Sequence, residues 1–276
     1  MSAGRVSAIR LVGRTVSGAI AVGFATLVYA YLTLPDVRLL KTSNPRTTAF
    51  IEIRLLEART LGRAPRKIQQ WVTYSRLSSS LKRAVLVAED DAFWQHEGID
   101  FEQLQESIET DWMRGKFVRG GSTITQQLAK NLYLSPSKDP VRKFKELVIA
   151  RRLEAELKKA RILELYLNVI EWGDGIYGAE AAARSYFRTS ASDLDPEESA
   201  LLAAAITNPR SANPAHPSAR LIRRQRLILR RMGEVTPPTV ESLSERPAAR
   251  LLGPATSGQE AHLSGGHEHS RCEKAC

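Results

Sequence analysis

Hydrophobic residues recur along most of this 276-residue chain at intervals of three and four, the spacing of helices that bury one face. Segments with this spacing, or with dense helix-forming residues, are 47–60, 80–93, 100–114, 121–133, 141–169, 177–188 and 195–206. The alternation typical of strands is nearly absent, apart from a short possibility around residues 67–73. The pattern predicts one mostly α-helical domain, which we place at residues 36–232.

An uncharged apolar run of twenty residues, 15–34, precedes this domain. It is long enough for a helix to cross the hydrocarbon core of a bilayer, and three arginines but no acidic residue come before it. The run therefore predicts a transmembrane signal-anchor at residues 15–35, with residues 1–14 in the cytoplasm and the domain outside. A signal peptide cleaved near Ala30 is the alternative, although the apolar run is longer than is usual for one.

The chain after Met232 is rich in proline, glycine and serine, and no periodic pattern persists there. We therefore expect residues 233–276 to form a disordered tail. Its last part contains His267, His269, Cys272 and Cys276. These side chains could bind zinc, or the cysteines could pair with each other in an oxidising exterior, but such clusters at a low-complexity terminus are usually incidental.

The formal net charge of +10 points to an anionic partner. The first 14 residues carry +3 and the tail carries −2, so about +9 belongs to the segment between them. Because this segment is expected outside the cytoplasm, nucleic acid is a poor candidate. An anionic substrate carried by the membrane is the better one.

The first candidate for chemistry is the stretch AEDDAFWQHEG at residues 88–98. If the preceding helix extends to Phe93, Glu89 lies on its apolar side, near Val85. Apolar surroundings raise the pKa of a carboxyl group, which suits a proton acceptor that works near neutral pH. The simpler alternatives are a glutamate that reaches solvent and a His96 that only packs or hydrogen-bonds.

The second candidate, 119–133, begins with glycines and continues with neutral polar residues at a helix start, which Ser122 is placed to cap. Uncharged donors and acceptors suit sugar hydroxyls or phosphate oxygens, while the phosphate-loop pattern of nucleotide hydrolases is absent. A capped helix with a polar face, on which Lys130 is an ordinary solvated charge, is the alternative.

The third candidate is a cationic helix around Glu146. Arg142 lies four residues before Glu146 and shares its face, with Lys145 beside them. These cations should keep Glu146 ionised, in contrast to Glu89, and such contrasts give paired carboxylates different roles. A salt-bridged surface helix is the alternative.

A fourth stretch, 158–187, is mainly architectural, and in it Glu164 and Asn168 can hold the site together by hydrogen bonds. The four stretches, in this order and spacing, resemble the peptidoglycan glycosyltransferases of glycosyltransferase family 51. The resemblance covers roughly residues 45–232. The matching positions are Glu89, Asp90, Phe93, His96 and Gly98; 120–127 with Lys130 and Asn131; Arg142, Lys143, Lys145 and Glu146; Lys159, 162–164 and 166–168; and 177–187.

The resemblance implies a lysozyme-like helical fold behind a single transmembrane helix, and polymerisation of lipid II on the periplasmic side of the cytoplasmic (inner) membrane. The 4-hydroxyl of an incoming lipid II would attack the anomeric carbon of the growing glycan, which bears undecaprenyl pyrophosphate, with inversion to a β-1,4 linkage. Only the tail follows the domain, without the SxxK signature of transpeptidases, so we expect the monofunctional form.

The resemblance also implies roles for individual residues. Glu89 is the expected general base, and Glu146 lies on the donor side, where family members place a divalent cation (Mg²⁺ or Mn²⁺) or cationic residues at the pyrophosphate; no metal ligand is assigned. Lys138 stands where the family often has arginine, and it keeps the charge but loses the bidentate fork. The expected substrate-binding residues are Asp90, Phe93, His96, Gly120, Gly121, Ser122, Thr123, Gln126, Gln127, Lys130, Asn131, Lys138, Arg142, Lys143 and Lys145.

The expected partners are lipid II, the growing glycan strand, membrane lipids and other proteins of cell-wall synthesis or division, but not nucleic acid. Two other classes of function remain open. A muramidase or lytic transglycosylase would cleave glycan with a lysozyme-like acid, although a neutral polysaccharide needs no cationic pyrophosphate site. A non-catalytic, membrane-anchored scaffold would be expected to have lost Glu89 or the GGSTITQQ stretch, and both are present.

Overall fold

The structure, a computed structural model, describes residues 3–101, 105, 121–137 and 139–233. Helices dominate this part of the chain: α1 (Ala3–Leu32), α2 (Ala49–Thr60), α3 (Ser79–Glu89), α4 (Ile124–Tyr133), α5 (Pro140–Glu156), α6 (Lys159–Val169), α7 (Ala179–Phe187), α8 (Pro196–Ala205) and α9 (Ala219–Arg231). The mostly helical prediction is confirmed, whereas the likeness to lysozyme stays a prediction. The predicted helix at 100–114 lies largely outside the described residues, as does the predicted tail.

Two predicted helices end earlier than their sequence patterns suggest. α3 stops at Glu89, short of Phe93, because Asp90 leaves the helical conformation (φ −169°, ψ 81°). The Asp90 carboxylate instead accepts a hydrogen bond of 2.8 Å from the first backbone N–H of α4. The predicted helix at 141–169 is two helices, since Leu157 is extended (φ −115°, ψ 147°) and buried. Core packing, not a glycine or proline, causes this break.

A small three-stranded sheet and the last helix are not among the predicted elements. The strands are β1 (Ile68–Gln69), β2 (Glu171–Gly173) and β3 (Ile176–Tyr177), in the order β1-β3-β2. β1 runs parallel to β3, and β2 runs antiparallel to β3 with an irregular register. β1 falls in the short stretch where a strand was possible, but strands of two or three residues are too short to show alternation. α9 is not among the predicted helices, although its apolar residues recur at helical spacing on one face.

The core is organised around α6. Ile162, Leu165 and Tyr166 on this helix have no exposed surface. α4 packs against both α5 and α6, α3 packs against α8, and α9 lies on α8 and α3. This packing brings the end of α3, the polar helix α4, the cationic helix α5 and the arginine-rich helix α9 around one region of the surface.

Glu164 and Asn168 hold the segment that precedes α3 against α6. Glu164 Oε2 accepts a hydrogen bond of 2.8 Å from the Tyr74 backbone N–H. Asn168 Oδ1 accepts one of 2.9 Å from the Val72 backbone N–H, and its Nδ2 donates one of 2.8 Å to the Val72 carbonyl. The predicted supporting role of these two side chains is confirmed.

α1 contains most of the predicted transmembrane segment, and it packs against α5. Its large apolar side chains are widely exposed; they include Val16, Ile20, Val22, Phe24, Leu27, Tyr29, Tyr31 and Leu32. Among the described residues, no helix has both the length and the hydropathy required to cross a membrane.

Gly178, directly before α7, has a backbone conformation that favours glycine and a close neighbour that leaves no room for a side chain. Its φ is +84° and its ψ is 149°, a region that side-chain-bearing residues avoid. A Cβ atom there would lie 2.8 Å from the Asn168 carbonyl oxygen. We expect Gly178→Ala to lower the free energy of unfolding by about 3 kcal/mol or more, as measured by urea denaturation.

Gly62→Ala is the matched control for this substitution. Gly62 also has a positive φ of +66°, but a Cβ atom there would meet nothing within 4 Å. Gly62→Ala should therefore lower the free energy of unfolding by only about 1 kcal/mol, the cost of the backbone conformation alone. Equal losses for the two variants would contradict the importance of the close approach to Asn168.

Candidate active site

Glu89 is the last residue of α3, and only 13% of its side chain is exposed. Its Oε2 accepts a hydrogen bond of 3.0 Å from Gln127 Nε2, and its Oε1 lies 3.5 Å from Arg224 Nη2 on α9. Burial raises the pKa of the Glu89 carboxyl above its usual value, and Gln127, Arg224 and Lys130 offset this rise only in part. The raised pKa expected from the helical spacing is confirmed, whereas the role of a base stays a prediction.

Gln127 joins three helices through its side-chain amide. Its Nε2 donates to Glu89 and, at 3.2 Å, to the Ser122 carbonyl, while its Oε1 accepts a hydrogen bond of 2.8 Å from the Tyr166 hydroxyl. Tyr166 has no exposed surface, and burial raises the pKa of its hydroxyl well above the usual value, so it remains a donor. Because Oε1 already faces a donor, the amide presents its N–H to Glu89.

The start of α4 is built on Thr123, not on Ser122 as the sequence suggests. The Thr123 side chain accepts a hydrogen bond of 3.2 Å from the Gln126 backbone N–H and so forms the N-cap. Its hydroxyl also donates to the Gly98 carbonyl at 2.8 Å, and Gln126 Nε2 donates to the same carbonyl at 3.2 Å. Both side chains are buried. They therefore fix the turn after α3 to α4.

The side chains of Asp90, Phe93 and His96 are enclosed in that turn. Asp90 Oδ1 lies 2.9 Å from His96 Nε2, and His96 Nδ1 accepts a hydrogen bond of 3.1 Å from the Gly98 backbone N–H. Phe93 has no exposed surface, and Lys159 Nζ lies 4.3 Å from the centre of its ring. These side chains face the interior of the turn that follows Glu89, and direct contact between them and a substrate stays a prediction.

Glu146 lies in the second turn of α5, with only 4% of its side chain exposed. Arg142 Nη1 lies 2.6 Å from its Oε2, and Lys143 Nζ lies 2.5 Å from its Oε1. The second cation is thus Lys143 and not Lys145. Lys143 precedes Glu146 by three residues and shares its face, whereas Lys145 is adjacent in sequence and lies 5.9 Å from the ring centre of Tyr29 on α1.

Lys143 also connects the second and third motifs. Its Nζ donates to Ser122 Oγ at 3.2 Å and to Gln126 Oε1 at 3.0 Å. Lys130, on α4, adds a third cation: burial lowers the pKa of its ammonium group, while the charges of both carboxylates oppose that fall. Lys130 is therefore the charged group that acts on Glu89 and Glu146 together.

The remaining predicted positions contribute less to the geometry. Asn131 Nδ2 donates to the Gln127 carbonyl at 2.8 Å, which supports the first turns of α4. Gly121 is half-buried just before this helix. Gly120 and Lys138 lie outside the described residues.

Comparison with known proteins agrees with this arrangement. The sequence profile of the family described as Transglycosylase matches residues 57–233. The chain belongs to the transglycosylase family.

Three similar relatives, each named biosynthetic peptidoglycan transglycosylase, show the extent of the likeness. The protein of Dechloromonas aromatica is 50% identical over 189 residues, which cover 68% of this chain and 82% of the relative. That of Aromatoleum aromaticum is 53% identical over 60% of this chain and 73% of its own length. That of Thiobacillus denitrificans is 43% identical over 83% of this chain and 97% of its own length.

Two transglycosylase-site residues escaped the sequence reasoning. Arg224 reaches Glu89 from α9, a helix that is not among the predicted ones and lies 135 residues away in sequence. Tyr166 lies in the stretch interpreted as mainly architectural, and nothing in its spacing shows that its hydroxyl meets Gln127. The run of arginines around Arg224 was the available signal, since it is the densest positive charge in the chain's second half.

The described residues do not suit a divalent cation on the donor side. The carboxylate there, Glu146, already meets two cations at ion-pair distance, whereas Mg²⁺ and Mn²⁺ require free oxygen ligands. Asp90, His96 and Asp100 bring possible ligand atoms within 4.8 Å of one another. Asp90 and His96 bond to each other in the turn after α3, however, so we assign no metal there.

Tyr166→Phe tests whether Gln127 is oriented from the core. Without the hydroxyl, the amide loses the donor that fixes its orientation, so the ionised form of Glu89 loses part of its stabilisation. We expect the pKa of Glu89 to rise by about 0.5 to 1 unit, which corresponds to roughly 1 kcal/mol. The measurement is an NMR titration of the ¹³C-labelled carboxyl group.

Tyr186→Phe is the matched control, because its hydroxyl donates to the Trp172 carbonyl, outside the Glu89 network. It should leave the pKa of Glu89 unchanged. The same pKa of Glu89 in the Tyr166→Phe variant and in the unmodified chain would show that Gln127 needs no support from Tyr166.

Proposed function

We propose that this chain polymerises lipid II into glycan strands for the cell wall, as a peptidoglycan glycosyltransferase with a lysozyme-like helical domain. The observation that carries the proposal is the contrast between two buried carboxylates. Glu89 is held by a neutral amide and has a raised pKa, whereas Glu146 is held by two cations. One group suits proton transfer and the other suits the binding of an anionic leaving group. The names of the relatives agree with this chemistry.

Glu89 accepts the proton of the attacking hydroxyl in this mechanism. Its Oε2 is occupied by Gln127, while its Oε1 has only a loose contact of 3.5 Å with Arg224. The 4-hydroxyl of an incoming lipid II gives its proton to Oε1 as its oxygen forms a bond to the anomeric carbon of the growing strand. A carboxylate with a raised pKa is a stronger base than an ordinary glutamate.

The cations of α5 and α4 receive the leaving group. As the new bond forms, the bond between the anomeric carbon and the pyrophosphate oxygen breaks, and its electron pair leaves with undecaprenyl pyrophosphate. Attack opposite the leaving group inverts the α-linkage to a β-1,4 linkage. Among the residues that the structure describes, Arg142 Nε is buried without a hydrogen-bond partner, and a phosphate oxygen would satisfy it. Arg142, Lys143 and Lys130 supply the positive charge, and no step requires a metal ion.

The strongest rival is a lytic enzyme that cleaves finished glycan. Incubation with lipid II and, separately, with purified sacculi distinguishes the two functions. Chain growth from lipid II supports the polymerase, whereas release of muropeptides from sacculi without chain growth would overturn it.

Glu89→Gln tests the assigned base. The amide keeps the size of the side chain and cannot accept the proton, so polymerisation should fall at least about 100-fold. Binding of lipid II, measured by fluorescence anisotropy, should stay within a few-fold of the unmodified protein.

Asp91→Asn is the control for Glu89→Gln. It removes a nearby carboxylate that is exposed and paired with Arg231, and it should retain most of the activity. If Glu89→Gln polymerised within a few-fold of the unmodified protein, the base assignment would be wrong.

We further propose that α1 attaches the chain to the cytoplasmic membrane and places the catalytic region on its outer side. The widely exposed apolar side chains of α1 and the arginines that precede them support this placement. Lys145 and Arg152 on α5 lie near the rings of Tyr29 and Tyr31 on α1. The cationic helix would then lie close to the lipid that carries the substrate. Recruitment by other cell-wall proteins stays a prediction.

Removal of residues 1–35 tests the attachment. Without α1 the protein should lose much more activity on lipid II embedded in vesicles than on lipid II dispersed in detergent. Polymerisation rates in the two assays, each relative to the full chain, give the comparison. Equal losses in both would contradict a tethering role.

A further inference from the structure

α9 presents a row of arginines to solvent. The helix has six arginines in 13 residues and no acidic residue. The exposed ones are Arg220, Arg223, Arg226, Arg230 and Arg231. They lie on one side of the helix, opposite the buried Leu221 and Ile228, and the row extends over about 17 Å. We call this row the arginine face.

The arginine face is continuous with the active site. Arg224, at its edge, lies 3.5 Å from Glu89 Oε1, and Arg231 lies 2.5 Å from Asp91 Oδ2. Within the described part of the chain, the other four exposed arginines have no carboxylate partner. Arginines three or four residues apart repel one another and disfavour the helix, so bound anions would stabilise this arrangement.

The mechanism places the acceptor beside this face. Glu89 Oε1, the oxygen assigned to accept the proton, is the one nearest to α9. The sugar whose hydroxyl reaches Oε1 must therefore lie next to the arginine face. In lipid II a peptide with free carboxylates hangs from the same disaccharide, and arginine forms bidentate pairs with carboxylates.

We propose that the arginine face binds the carboxylates of the peptide carried by the acceptor. This inference rests on the proposed function, because only a peptide-bearing sugar acceptor brings those carboxylates to α9. Anionic phospholipid is the other polyanion that could meet a basic helix. The acceptor fits better, since the face begins at Glu89 and α9 packs on α3 and α8, whereas α1 packs on α5.

The test uses the full chain with Arg223, Arg226 and Arg230 all replaced by Gln. Arg224 and Arg231 stay, because they contact Glu89 and Asp91. The probes are a fluorescent disaccharide-peptide with free carboxylates and the same compound with its carboxylates amidated. Anisotropy at low salt should show about tenfold weaker binding of the free form by the variant, as loss of several exposed ion pairs would give. Binding of the amidated form should change less than twofold.

The matched control replaces Arg59, Arg63 and Arg66, which are exposed on and after α2, by Gln. It removes the same charge and should bind both probes like the unmodified chain. Circular dichroism verifies that α9 remains helical, as expected because glutamine is a good helix former. Equal weakening in the control would overturn the proposal, since the effect would then follow net charge alone.

Two further readouts separate this proposal from its rivals. With lipid II as substrate, the α9 variant should raise KM while kcat stays within about twofold. If the variant instead lost binding only to phosphatidylglycerol vesicles and bound the free probe normally, the face would belong to the membrane and the proposal would be wrong. Because probe binding needs no turnover, a chain that binds the free probe through α9 but does not polymerise lipid II would refute the proposed function alone.

Discussion

The hydrogen bond from Gln127 to Glu89 is the interaction on which the rest of the site depends. It joins the end of α3 to α4, and the Tyr166 hydroxyl fixes its direction from the core helix α6. A neutral donor stabilises the carboxylate less than an ion pair at bonding distance would. Burial therefore still raises the pKa of Glu89. A lysine at the position of Gln127 would hold the carboxylate equally well, but it would lower its pKa and weaken it as a base.

Glu146, unlike Glu89, is paired with two cations. The site therefore has one side with a neutral donor, at Glu89, and one cationic side, at Glu146. Two cations contact that carboxylate, and one of them, Arg142, has an Nε without a hydrogen-bond partner among the described residues that an anion could use. Lys130 is affected by both carboxylates, so the positive potential extends from the donor side towards Glu89 without an ion pair at bonding distance. The two sides can therefore act on one substrate pair: one removes a proton while the other stabilises a departing pyrophosphate.

The spacing of residues along a single helix predicted those parts of the site that depend on contacts within that helix. The apolar surroundings of Glu89 and the pairing of Arg142 with Glu146 follow from helical spacing. The same spacing should have selected Lys143, because a residue three positions before Glu146 shares its face and an adjacent one does not. Contacts between distant segments could not be obtained this way. The ring hydroxyl of Tyr166 meets Gln127 only because α4 packs on α6.

The same limit explains why the end of α3 was misjudged. α3 ends at Glu89 because the next carboxylate bonds to α4, and a residue that bonds across 34 positions leaves no local signal. The apolar residues of α9 do follow a helical period, so local spacing could have revealed this helix. Its arginines repel one another, and a helix that keeps this repulsion beside Glu89 indicates a requirement outside the helix itself. The charge of about +9 on this domain is thus unevenly distributed. Two of its concentrations lie on α5 and α9, where the proposed mechanism places the leaving group and the acceptor.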